Sequence, residues 1–196
     1  MRLVLAAILL LAALPARAQI PVGEIDRYLN SFAAAQAEFT QLNADGTISR
    51  GTLSLQRPGR ARFDYAPPND GLVIAGGGQV AVFDPVSNTA PEQYPLSQTP
   101  LNLILAQRVD LSRSGMVVGH GGDATQTSVT LQDPGRPEAG RIELVLTPSP
   151  TTLRQWVITD DAGQRTTVIL GDMTTNPRLG ASLFSIQTEM GRRGLN

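Results

Sequence analysis

Apolar and polar residues alternate with a period of two along most of the chain. In residues 51–65, Leu53 and Leu55 alternate with polar neighbours, and Phe63 and Tyr65 stay in phase beyond a Pro-Gly break. This period is typical of strands with one buried face. The same pattern predicts strands at 38–43, 47–57, 61–66, 71–75, 79–84, 90–95, 115–119, 125–132, 141–147, 152–159 and 165–173. Glycine- and proline-rich turns between them predict an antiparallel sheet that curls or closes.

Two segments instead have the spacing of helices. In residues 21–38, Ile25, Leu29 and Phe32 recur at helical intervals, and the alanines that follow favour helix. Residues 97–110 also predict a helix, whose apolar residues cover more than one stripe. Such a helix contacts protein on two sides. The plan is a single curved sheet with a few helices.

Residues 1–18 have the pattern of a secretory signal peptide. Arg2 precedes a short apolar run. The segment ends in Ala16-Arg17-Ala18, which has small residues at its first and third positions, as signal cleavage sites do. The run is shorter than the roughly 20 residues that a membrane-spanning helix needs. We therefore expect cleavage after Ala18 and a single domain over residues 19–196.

Composition narrows the possible chemistry. The chain contains no cysteine, which excludes disulfides, thiolate metal sites and a lipidated N-terminal cysteine. Its formal net charge is −1 and becomes more negative without the signal arginines, which argues against nucleic acid as a partner.

No residue pattern indicates catalysis or a cofactor. His120 is the only histidine and is interpreted as a loop residue among glycines. The segment GHGGDA at 119–124 fits a dinucleotide fingerprint formally, but a β-branched alternating segment follows it where a helix is required. Asp160 and Asp161 are interpreted as a turn. We therefore expect neither enzymatic activity, nor a metal, nor a cofactor.

Several segments, in order, resemble the periplasmic outer-membrane lipoprotein carrier (LolA) family. The resemblance rests on the cysteine-free signal and on an arginine-proline motif within the second of five segments. The segments are AEFTQ at 37–41, GTLSLQRPGRARFDYAPP at 51–68, LVIAGGGQVAVFDP at 72–85, TPLNLILA at 99–106 and TTNPRLGASLFSIQ at 174–187.

The resemblance implies both a fold and a function. The implied fold is mainly β: an unclosed antiparallel β-barrel covered by a helical lid. The implied protein is a soluble periplasmic monomer that shields the acyl chains of lipoproteins. It would take them from an inner-membrane ABC exporter and deliver them to an outer-membrane receptor.

Arg57 lies in the apolar row of Leu53 and Leu55, where a permanently charged side chain is unexpected. The alternating pattern by itself favours the interpretation that Arg57 is a strand-end residue paired with a carboxylate. The resemblance implies instead that Arg57, with Pro58, is a latch that hydrogen-bonds the lid helices. Ala61 and Phe63 are smaller than the residues common in the family, so the packing near the latch differs.

Phase also predicts which side chains face the cavity and the lid. The predicted cavity residues are Leu53, Leu55, Phe63, Tyr65, Val80, Val82, Val129, Leu131, Ile142, Leu144, Leu146, Trp156 and Ile158. The predicted underside of the lid is Ile25, Leu29, Phe32, Leu101 and Ile104. Each predicted cavity residue fits ordinary core equally well.

The main alternative is a periplasmic sensor of lipid or lipoprotein with the same fold, although such sensors usually carry an additional domain. A receptor would need the missing lipobox cysteine, and a hydrolase would need a catalytic group that the sequence does not indicate.

Overall fold

A computed structural model describes residues 19–87, 89–112 and 115–195, so the predicted signal peptide at 1–18 lies outside the described residues. Twelve strands form one sheet. The strands are β1 Ala34–Leu42, β2 Ile48–Gln56, β3 Arg60–Tyr65, β4 Leu72–Gly76, β5 Gln79–Phe83, β6 Glu92–Pro95, β7 Val117–Gly122, β8 Thr127–Gln132, β9 Arg141–Thr147, β10 Thr152–Thr159, β11 Arg165–Leu170 and β12 Thr174–Thr175. The α-helices are α1 Val22–Leu29, α2 Leu101–Leu105 and α3 Ile186–Arg193.

The sheet is antiparallel and unclosed, which confirms the predicted fold class. Its strand order is β6-β5-β4-β3-β2-β1-β11-β10-β9-β8-β7, and β12 pairs with β1 beside β11. Among the described residues the outermost strands, β6 and β7, do not pair with each other. One edge of the sheet therefore stays separate from the other.

The sheet buries apolar side chains on both faces. One face, called the lid face, packs against α1 and α2. There Phe39, Leu53 and Trp156 belong to a large core that includes residues of both helices. On the back face, a smaller core contains Leu72, Ile74, Ala81 and Phe83 of β4 and β5 together with Ile186 of α3. The apolar row of β2, formed by Leu53 and Leu55, lies on the lid face.

Two helix predictions were too long. The helix predicted at 21–38 ends at Leu29, and β1 begins at Ala34. Ala35 and Ala37 pair with Leu55 and Leu53 across the ladder, so sheet pairing overrides their helix propensity. The helix predicted at 97–110 reduces to a 3₁₀ turn at Leu96–Gln98 and the short α2.

The C-terminal helix α3 was not predicted. The Ser185 hydroxyl caps its start by accepting the Thr188 amide at 3.1 Å. Gly194, at a φ of 69°, ends it in the left-handed conformation that favours glycine.

The prediction that His120 lies in a loop was also wrong, because His120 belongs to β7. Pairing of β7 with β8 outweighs the turn tendency of the flanking glycines.

An ion network fastens α3 to the back face. The buried Glu189 carboxylate accepts from Arg62 of β3 at 3.2 Å, and from Arg192 and Arg193 of its own helix at 2.9 Å each. Burial opposes ionisation of Glu189, but hydrogen bonds from Arg193 and Arg62 outweigh it and lower the pKa of this carboxyl. The carboxylate is therefore held ionised.

Candidate functional site

Arg57 follows β2 and connects the sheet to both helices above the lid face. Its Nε donates to the Ile104 carbonyl at 2.8 Å, and its Nη1 donates to the carbonyls of Phe32, at 3.1 Å, and Leu29. Leu29 ends α1 and Ile104 lies in the last turn of α2. Carbonyls at helix ends lack partners within the helix and carry partial negative charge. One guanidinium thus satisfies acceptors from both lid elements.

The surroundings of Arg57 are buried and largely apolar. The side chain lies 5.1 Å from the centre of the Phe32 ring. No ion pair in the described ranges includes Arg57, so main-chain carbonyls, and not a carboxylate, surround the charge. Burial lowers the pKa of Arg57, partly offset by Tyr28. An arginine nevertheless remains protonated in proteins, so these bonds are charge-assisted.

The turn between β2 and β3 adds main-chain bonds to the same region. The Gly59 amide donates to the Leu105 carbonyl of α2 at 2.8 Å, and the Arg57 amide donates to the Ala33 carbonyl at 2.8 Å. Gly59 has a φ of 66°, which a side chain would disfavour. Pro58, at the tip, is exposed. The turn therefore positions the guanidinium and contacts α2 directly.

Asp26 of α1 and Asn30, which directly follows the helix, fasten α1 to the segment after α2. Asn30 donates to the Val109 carbonyl at 2.7 Å and accepts from the Val109 amide at 3.0 Å. The Asp26 carboxylate accepts the Leu111 amide at 3.0 Å. These bonds join the two lid segments to each other.

The other side of α1 is bonded to the hairpin between β9 and β10. The Tyr28 hydroxyl accepts the Leu153 amide at 3.0 Å, and the Thr151 hydroxyl donates to the Glu24 carboxylate. Burial raises the pKa of Tyr28, so its hydroxyl is neutral at physiological pH. With Arg57, α1 is held at three places.

The residues predicted for the underside of the lid belong to one apolar core. Ile25, Leu29, Phe32 and Ile104 are buried in the core that includes the lid face, and Leu101 is half-buried against it. Sequence reasoning left out Leu103 and Leu105, which are buried in the same core. Their place on α2 could have been inferred from the broad apolar surface of that segment.

An open cavity of about 880 Å³ lies beside α2 on the lid face. Five of the predicted cavity residues line it: Phe63, Tyr65, Val80, Trp156 and Ile158. Val73, Leu101 and Val168 add further apolar surface. The aromatic part of the wall is interlocked, because the Phe63 ring meets Phe39 and Trp156 edge-on at 5.6 and 6.4 Å between ring centres.

The other predicted cavity residues are not part of this wall. Seven are buried in the packed core with α1 and α2: Leu53, Leu55, Val129, Leu131, Ile142, Leu144 and Leu146. Val82 is half-buried on β5 and lines no described cavity. Ala61, the small residue near the arginine, is buried and pairs with Leu55. The alternating pattern therefore does not separate the part of this face that is covered from the part that borders the cavity.

Acidic side chains dominate the charged part of the cavity lining. The lining includes the carboxylates of Glu92, Glu138, Asp160 and Asp161. Its one arginine, Arg136, forms an ion pair with Asp133 at 3.3 Å. Sequence reasoning missed this rim, since its members come from turns and short elements whose position around the cavity only the fold reveals.

The family model of the outer membrane lipoprotein carrier protein LolA matches residues 30–187. The chain belongs to the LolA family. The match contains every strand and α2, whereas α1 precedes it and nearly all of α3 follows it. The matched segment therefore includes Arg57 and the turn that carries it.

Individual LolA-family relatives are similar over most of their length. An outer-membrane lipoprotein carrier protein from Chromohalobacter salexigens is 29% identical over 190 residues, which cover 91% of this chain and 90% of that protein. The carrier protein of the same name from Pseudomonas aeruginosa is 29% identical over 178 residues, with 83% and 81% coverage. A LolA superfamily protein from Nitrosomonas europaea, known from a crystal structure, superposes with a TM-score of 0.46 at 11% identity, covering 85% of this chain and 98% of that one.

Proposed function

We propose that this chain is a periplasmic carrier of lipoproteins. It takes them from an inner-membrane ABC exporter, shields their acyl chains, and delivers them to an outer-membrane receptor. Family membership supports the carrier role. The observation that carries the proposal is an apolar cavity beside a lid whose two helices are joined to the sheet by one arginine. The proposed activity is reversible binding by a soluble monomer, without chemistry.

The physical need for such a cavity follows from the cargo. Exposing an acyl chain to water costs about 0.8 kcal/mol per CH₂, so three long chains cost on the order of 30 kcal/mol. A cavity of about 880 Å³ lies at the upper end of the roughly 300–1,000 Å³ that ligand pockets occupy. Displacement of the lid would add the apolar surface of the seven residues now packed beneath α1 and α2.

The latch gives the carrier two states. In the closed state described here, Arg57 holds α1 and α2 over the sheet, so little apolar surface is exposed when no cargo is bound. In the open state the acyl chains replace the underside of the lid against the sheet. Closure then favours release, because the hydrogen bonds of Arg57 reform only when the chains have left. A bistable lid of this kind avoids a permanent apolar patch.

Binding of a fluorescent fatty acid to the purified protein tests the cavity. Ile158→Asp places a charge on the half-buried wall and should weaken binding at least tenfold, because burying an unpaired carboxylate is unfavourable. Val118→Asp is the matched control: Val118 is 57% exposed on the edge strand β7, and the change should leave binding intact. Equal binding by the two variants would contradict the cavity assignment.

Transfer requires a separate test. Lipoprotein should be released from inner-membrane vesicles into a soluble complex with the wild-type protein and pass on to receptor-containing membranes. A protein that binds fatty acid but releases no lipoprotein would support the sensor alternative. Steady turnover of an ester substrate would overturn a carrier without chemistry.

A further inference from the structure

Trp156 is the only tryptophan of the chain and lies on the cavity wall, on β10. Its side chain is almost wholly buried, at 1% exposure. Its indole Nε1 has no hydrogen-bond partner among the described residues. An indole nitrogen can only donate, and buried donors in native proteins are nearly always paired. The wall therefore holds a donor that has no acceptor among the described residues.

Other polar side chains of the lining are paired within the protein. The Tyr65 hydroxyl donates to the Gln41 side chain at 2.9 Å, and Gln41 in turn donates to Asn43 at 2.6 Å. Arg136 is paired with Asp133. A phenylalanine at position 156 would supply an aromatic wall without the unpaired donor. Packing alone therefore does not require the indole N–H group at this position.

The surroundings indicate what kind of acceptor fits. Four carboxylates and a single, already paired arginine stand in the lining of the same cavity, so a phosphate group would be repelled. An uncharged carbonyl is the acceptor compatible with both the acidic rim and the apolar wall. In an acylated molecule, this carbonyl is the ester or amide that joins the chain to its head.

We propose that the Trp156 indole N–H donates a hydrogen bond to the ester or amide carbonyl at the head of a bound acyl chain. The inference rests on the proposed function and adds a polar recognition point to it. The donor is covered in the closed form, so the carbonyl reaches it when the cavity widens around a guest. The bond would fix how deeply the chain enters, which apolar contact alone does not.

Because the chain has one tryptophan, its indole group gives a single ¹⁵N–¹H NMR signal, which reports on this site directly. The wild-type protein is titrated with a diacylglycerol, with the dialkyl ether of identical chain length, and with an N-acyl amide of the same chain. We expect the ester and the amide to move the indole proton downfield and slow its exchange, and the ether to do neither. A neutral hydrogen bond predicts about three- to tenfold tighter binding of the ester than of the ether.

Two variants separate the hydrogen bond from packing. Trp156→Phe should bind ester and ether with equal affinity. Phe63→Leu removes a neighbouring ring that carries no donor, so it should weaken both ligands alike and keep the preference. If the wild-type protein binds both ligands equally with the same indole signal, the inference is overturned and the carrier function stands. If it binds none of the three lipids, the proposed function fails and the inference with it.

Discussion

Replacing Arg57 with leucine should unfasten the lid while leaving the sheet intact. The change removes the side-chain bonds to Leu29, Phe32 and Ile104 but keeps an apolar body in the row of β2. A hydrogen bond with a charged partner contributes about 1.5–3 kcal/mol. Loss of only one such bond, at about 1.5 kcal/mol, changes the ratio of open to closed forms slightly more than tenfold. Three independent bonds would change it by about 4.5 kcal/mol or more.

Native-state hydrogen exchange measures this ratio at named amides. The amides of Val109 and Leu111 are bonded to side chains of α1, and the Gly59 amide is bonded to α2. Their exchange rates report the population in which the lid has opened. We expect an increase of about tenfold or more at these three positions, and none at the central amides of β9 and β10.

Arg50→Leu is the matched control, because Arg50 is exposed on the back face of the same strand. It should leave the exchange of all three amides unchanged. Arg57→Leu should still accept lipoprotein from vesicles yet pass it on slowly, and Arg57→Lys should be partly defective because an ammonium lacks the planar fork. Exchange within twofold of wild type at the lid amides, with normal transfer, would refute the latch.

Three further outcomes test other parts of the structure. Tyr28→Phe removes the acceptor of the Leu153 amide. The change should make lid closure less favourable by about 1 kcal/mol, measured as faster hydrogen exchange at that amide. Unchanged exchange would mean that the bond contributes little. Because the native pKa of Glu189 is lowered from 4.5, ionised Glu189 stabilises the fold above that pH, and this contribution is lost as the pH falls through the native value. Urea unfolding should show this acid dependence for wild type and a weaker one for Glu189→Gln; parallel pH profiles would contradict the network. A Cβ at Gly76 would lie 2.1 Å from the Phe184 carbonyl oxygen, so Gly76→Ala should lower the melting temperature by several degrees. Gly121→Ala should not, because a Cβ there would meet no atom within 4 Å.

The sequence was most informative about strands, because alternation directly reflects which side chains are buried. β9 and β10 have the bounds that alternation predicts, and the unclosed antiparallel sheet is confirmed. It was least informative where propensity and tertiary pairing disagree. Ala35 and Ala37 favour helix as isolated residues, yet their small side chains lie in the core where β1 pairs with β2.

The C-terminal helix shows a different limitation. Its start at Ser185, its end at Gly194 and the arginines of its last turn are all sequence signals for a helix. Few apolar residues accompany these signals, so the periodicity of apolar residues does not indicate the helix. Part of the attachment of α3 to the sheet is the ion pair between Glu189 and Arg62, and an ion pair has no periodic pattern.

For the candidate site, the sequence singled out Arg57 and the apolar row of β2 in which it stands. It could not separate the open cavity from the covered core, because Phe63 and Leu53 have the same phase on neighbouring strands. Only the position of α2 decides which of them borders open space. The unpaired state of the Trp156 indole likewise depends on every neighbour of the ring and has no sequence signal.

The attachments on the two faces of the sheet should respond to different solution conditions. Among the described residues, no ion pair joins α1 or α2 to the sheet; apolar contact and hydrogen bonds hold them. On the back face, α3 is joined to the sheet by the buried ion pair of Glu189 with Arg62 and by apolar contact, while Arg192 and Arg193 pair with Glu189 within the helix itself. Added salt screens exposed charges and strengthens apolar burial when the salt is a kosmotrope such as sulfate. Sulfate should therefore favour the closed lid while it weakens the buried pair of Arg62 and Glu189 little, whereas protonation of Glu189 at low pH should loosen the C-terminal helix and leave the lid in place.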